Sequence, residues 1–136
     1  MTKLKDLQAD VPQQSYFPGH ATAGTAIEQV LFRAPFRCVV TAVEFTPNTT
    51  QAGANTNSFT LNVRNRTTGA GTGVPASLAF VSGVDLTATT PKTLTLSGTS
   101  SVLALAEGDV ITAEKAVVGT GLACPPGTIT VHIKAA

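Results

Sequence analysis

Two cysteines, two histidines and one close pair of acids are the residues whose types could do chemistry in this 136-residue chain. Cys38 and Cys124 lie far apart, and neither stands near His20 or His132. Zinc sites draw thiolates and imidazoles from closely spaced pairs, and no such pair occurs, so no metal centre is expected. Glu107 and Asp109 flank Gly108 in "LAEGDVIT". Two carboxylates suit acid–base work only across a cleft, and calcium needs further oxygen ligands at regular spacing. A glycine between two acids at the entry to a strand is turn chemistry. Gly108 supplies a positive φ, and Asp109 accepts a bond from a nearby backbone N–H.

Cys124 sits in the most particular loop, "GTGLACPPGT". A reactive thiol needs a neighbouring cation to lower its pKa, and none stands beside it in sequence. Pro125 and Pro126 stiffen the loop, and Gly127 is expected to let it reverse into the final strand. The stretch therefore reads as a rigid hairpin tip. The glycine-rich "TTGAGTGVP" lacks the Lys-Ser/Thr ending of a phosphate loop. There is no Gly-x-Ser-x-Gly elbow either. No catalytic residue and no cofactor is expected, and the chain is not read as an enzyme.

Composition narrows the partners. Only 12% of residues are charged, against 43% hydrophobic, where about 25% charged is usual. Thr, Ser, Asn and Gly fill the polar positions. Such a deficit suits a surface partly buried against other copies or another protein, because charge is depleted from interface cores. It equally suits a neutral, Thr-rich surface. With a net charge of +1, no electrostatic argument favours nucleic acid or an acidic membrane as a partner, and neither is expected. No apolar run reaches the ~18 residues of a spanning helix. "MTKLKDLQADVPQQ" has no apolar core of a signal peptide, so synthesis and folding in a cytoplasm are expected. That setting favours two buried free thiols, while a disulfide would need an oxidising destination.

The elements that must carry these residues are strands. Residues 1–26 show no sustained period. Leu4 and Leu7 could head one or two helical turns that Pro12 ends, and Tyr16 and Phe17 follow among Pro18, Gly19 and Gly24. The segment reads as an N-terminal arm, and its four large apolar residues suit docking onto its own sandwich, a neighbouring copy or another protein rather than a solvated tail. From residue 27 onward short apolar stretches alternate with turn residues. "IEQVLFRA" is broken by Pro35 before "FRCVVTAVEFTP". "SFTLNVRNR" places Phe59, Leu61 and Val63 on one face, and Ser58, Thr60, Asn62 and Arg64 on the other. "ASLAFVSG", "KTLTLSG" and "GDVITAEKAVVG" follow. "GTITVHIKA" closes the chain with Ile129, Val131 and Ile133 inward and Thr130, His132 and Lys134 outward. The expectation is an all-β chain: an antiparallel β-sandwich or jelly roll of about 7–8 strands over residues 27–136.

The order "VLFRAPFRCVVTAVEFTP", "FTLNVRNR", "LTLSGTSSVLALAEGDVIT" and "VGTGLACPPGTITVHI" resembles the small jelly-roll decoration, or cement, proteins of tailed-phage virions. The resemblance spans about residues 27–134 and carries over no functional motif. It implies a homotrimer on the outer capsid surface that holds neighbouring major capsid protein subunits together. The arm, with Leu4, Leu7, Tyr16 and Phe17, would contact the shell. A different reading is a carbohydrate- or receptor-binding sandwich of a phage tail or secreted protein. The absence of Trp and the single Tyr leave it few stacking platforms.

Overall fold

The computed structural model describes residues 10–67 and 73–136. Leu4, Leu7 and the helical turns expected before Pro12 lie outside the described residues. The chain is all-β, with two antiparallel sheets packed face to face. Its long strands are β1 (Val11–Phe17), β2 (Ile27–Arg33), β3 (Cys38–Pro47), β4 (Ser58–Asn65), β5 (Gly73–Ala79), β9 (Val110–Val118) and β10 (Gly127–Ala135). Between them come β6 (Lys92–Thr93), β7 (Thr95–Leu96), one helical turn α1 (Ser100–Leu103) and β8 (Ala104–Leu105).

The first sheet runs β1-β10-β3-β6 with β8 also on β3, and the second runs β2-β9-β4-β5-β7. The pairings β1 with β10, β2 with β9, β3 with β6 and β4 with β5 are nested. Strands therefore behave as one long antiparallel ribbon wound so that successive steps fall in opposite sheets, which is the winding of a jelly roll. Pro35 marks the step from β2 to β3. The corner it occupies turns Ala34 and Phe36 into the core. Ala34 then bonds Gly108 and Asp109 through its backbone at 2.8 Å each way.

Ten strands stand among the described residues where seven or eight were expected, and "KTLTLSG" accounts for one of the additions. A strand cannot pair in both sheets, so the segment divides at Leu94, which is 1% exposed. β6 stays on β3 and β7 joins β5.

Val11–Phe17, expected within an arm outside the core, is instead an edge strand paired along its whole length with β10. Its inward positions are Val11, Gln13, Ser15 and Phe17, and the polar pair among them hides the period of two. Pro12 is tolerated because β1 has only one sheet neighbour. Ser15 Oγ donates to Leu31 O at 2.7 Å, tying β1 to β2 across the open side of the sandwich.

The core fills from both sheets. Phe17, Phe45, Phe59, Leu61, Ile111, Ile129 and Ile133 are completely covered. Phe17 meets Phe45 edge to face with centroids 6.1 Å apart, and Phe59 stacks on Phe80 at 4.7 Å. The inward sets expected for β4 and β10 hold. Ser58 and Asn62 of β4, expected to face out, are also covered, because β4 lies inside its sheet between β9 and β5.

Candidate functional site

The Glu107-Gly108-Asp109 turn forms as its residues require. Gly108 has φ +89°, a conformation that costs a Cβ-bearing residue steric strain. Asp109 Oδ2 accepts from Ala106 N at 2.9 Å and from Asn65 Nδ2 at 2.8 Å. Glu107 is exposed and takes no part. Asp109 has a second setting that turn chemistry alone does not reveal. It lines a pocket of about 520 Å³ at one end of the sandwich, together with Arg37, Asn65, Ser101, Val102 and Leu105. Below it lies Cys38, whose thiol is pushed up to about 11 by burial, with the Asp109 charge adding to the effect.

"GTGLACPPGT" is not a hairpin tip. β9 belongs to the second sheet and β10 to the first, so Pro125 and Pro126 carry the chain across the sandwich. Cys124 forms a two-bond bridge to His20, N to O at 3.0 Å and O to N at 2.9 Å. Asn48 N bonds Pro126 O at 2.8 Å. The imidazole of His20 is engaged elsewhere, its Nδ1 accepting from Thr22 N at 3.0 Å. Gly127 does not reverse the chain, because its φ is not positive and it already lies in β10. A glycine is required there by close approach. A Cβ would overlap the Thr46 carbonyl and come within 2.7 Å of Phe45 Cε1.

Lys115 escaped sequence reading. Strand parity places it inward, opposite Leu61 on β4, and it is 0% exposed. Its ammonium donates to Thr22 O at 3.0 Å and Ala23 O at 3.1 Å, pinning the β1–β2 connection over this part of the core. Burial lowers its pKa, with the Cys124 thiol acting in the opposite direction. The signal was present in the alternation Ile111, Ala113, Lys115, Val117, but a lysine between two sheets is rare enough to be read outward. Cys124 is itself pushed up to about 12 by burial, partly offset by Lys115. Both cysteines are free and buried. Such thiols are protonated near neutrality and therefore inert.

The outer face of the second sheet carries a polar ladder. Register puts Glu28, Glu114, Asn62 and Ser77 in one row across β2, β9, β4 and β5. Two carboxylates side by side repel, and Arg64 and Arg66 offset this. Arg66 forks onto Glu28 at 2.8 and 2.9 Å, and Arg64 reaches Glu114 at 3.0 Å. Thr112 adds a bond to Glu28 at 2.7 Å, and Ser77 closes the row on Asn62 at 2.7 Å. The Arg66 hydrogen bonds hold the Glu28 carboxyl below its ordinary value, partly opposed by burial. A depressed carboxylate contributes stability that is present above its unfolded pKa and lost as pH falls through the folded one. Glu28→Gln is therefore expected to lower the urea midpoint at pH 7. The difference should shrink as the pH falls below the ordinary carboxylate range and the parent carboxyl takes up its proton.

On the first sheet His132 lies 2.9 Å from Glu44 through Nε2. Thr130, expected outward beside it, is 8% exposed because β10 runs between β1 and β3. Tyr16 is 61% exposed on β1 and Val30 is 58% exposed on β2. They sit on the two strands that the Ser15–Leu31 bond joins. No described group of three or more His, Cys, Asp or Glu residues is placed to hold a metal ion. No described helix is long and apolar enough to cross a membrane. No protein-family model, curated protein or solved structure matches the chain.

Proposed function

We propose that this chain is a structural virion protein, made in a host cytoplasm, that binds the outer surface of an assembled phage capsid as a homotrimer and stabilises the shell. The observation that carries this reading is how the surface charge is used. On the outer face of the second sheet the ionic side chains are largely spent on each other, in Glu28–Arg66 and Glu114–Arg64. What remains on that face is largely hydroxyl, amide and small apolar. Charge already neutralised within the subunit leaves less to be stripped of water and left unpaired when another protein covers it.

The β1–β2 side is the subunit contact in this reading, with Tyr16 and Val30 as its exposed apolar groups. A protein that binds the assembled lattice and not free coat subunits stabilises the assembly by mass action. Light scattering should then give about three times the 13.9 kDa chain mass. Binding to expanded shells should saturate. Tyr16→Ser with Val30→Ser should shift the trimer toward monomer while leaving the fold intact. A stable monomer that ignores shells and is retarded on a glycan column would replace this reading with that of a carbohydrate-binding module.

A further inference from the structure

We propose that the pocket between Arg37 and Asp109 binds a small zwitterion, an amino acid or short peptide with an apolar side chain. This goes beyond the virion reading and does not rest on it. The first observation is a buried carboxylate with spare capacity. Asp109 is 7% exposed, and its two side-chain hydrogen bonds, from Asn65 and Ala106, both end on Oδ2. Oδ1 receives none among the described residues and is left to the pocket that Asp109 lines. No described side-chain oxygen is both buried and unpartnered, so Oδ1 is open to the pocket, where a cationic donor meets an acceptor with no protein partner.

The second observation is Arg37 on the same pocket, exposed and outside every described ion pair. Its planar fork matches a carboxylate. The two charged side chains of the pocket thus have opposite sign and no ionic partner among the described residues. Their complement is a molecule with one ammonium and one carboxylate. Beside Asn65 and Ser101, the wall carries Val102, Ala104 and Leu105, an apolar portion that would take an apolar side chain. A volume of about 520 Å³ lies in the ordinary range for small-molecule sites.

The test is calorimetric titration of the intact protein with L-leucine and, separately, with Leu-Leu. N-acetyl-L-leucine lacks the ammonium, L-leucinamide lacks the carboxylate, and glucuronate offers hydroxyls in place of an ammonium. Saturable binding of either probe, at least tenfold tighter than all three controls, is the expected result, and the tighter probe identifies the source. Arg37→Gln, at an exposed position, should weaken binding tenfold or more, and Ala104→Leu should block it by filling the pocket. Absence of saturable binding by both probes overturns the proposal. So do controls that bind as well as the probes, or an unchanged affinity in Arg37→Gln.

Discussion

Phe17→Ala is expected to cost about 3–5 kcal/mol, a large share of the stability of a domain this size. Phe17 is completely buried, and its ring meets Phe45 edge to face. Removing it leaves a cavity bounded by β1, β10 and β3, which are hydrogen-bonded to one another and cannot collapse freely. Tyr16→Ala is the control one residue away. Tyr16 points outward on the same strand, so its loss should stay within about 0.5 kcal/mol for the isolated subunit. Urea unfolding of both variants reads the contrast as a lowered midpoint in one and not the other. Equal, small effects would mean that residues 11–17 do not form part of the sheet.

The second large effect is expected at Gly127. Its register row is Phe17, Gly127, Pro47 across β1, β10 and β3. The absent side chain makes room for the Phe17–Phe45 pair. In Gly127→Ala the new methyl would overlap Thr46 O and press on Phe45. Overpacking of this kind costs about 3 kcal/mol or more when backbone must move. A melting temperature lower by about 10 °C or more is the corresponding readout. Adding Phe45→Leu relieves only the ring contact, because the Thr46 carbonyl is backbone and remains in place. The double variant should therefore stay well below Phe45→Leu alone. Full recovery of the difference would show that ring crowding, not backbone approach, is why a glycine stands there.

How much of this was legible can be judged from those two residues. Gly127 was legible as a special position but not for the right reason. In sequence it follows two prolines and reads as the pivot of a turn, whereas its constraint comes from Thr46 and Phe45, far away in the chain. Phe17 was legible as too apolar for a solvated tail. Its strand was not, because Gln13 and Ser15 occupy inward positions at the open side, where Ser15 meets a β2 carbonyl rather than the apolar centre. Asp109 divides the same way. Its turn role follows from three adjacent residues, while its pocket needs β3, β4 and the α1 region brought together.

Period-two alternation was enough to determine the inward faces of β4 and β10, since neighbouring side chains on a strand must point to opposite sides of a sheet. Local backbone chemistry likewise determined the turn at Gly108 and the break at Pro35. Both are decided within a few residues, and so they can be read without knowing the fold. Sheet membership was decided only by the tertiary structure: that β9 and β10 part company, that "KTLTLSG" serves both sheets, and that Val11–Phe17 completes the first. The pairing of Lys115 with the carbonyls of residues 22 and 23 belongs with these. Each depends on contacts between segments remote in sequence, and their geometry exists only once the ribbon has wound.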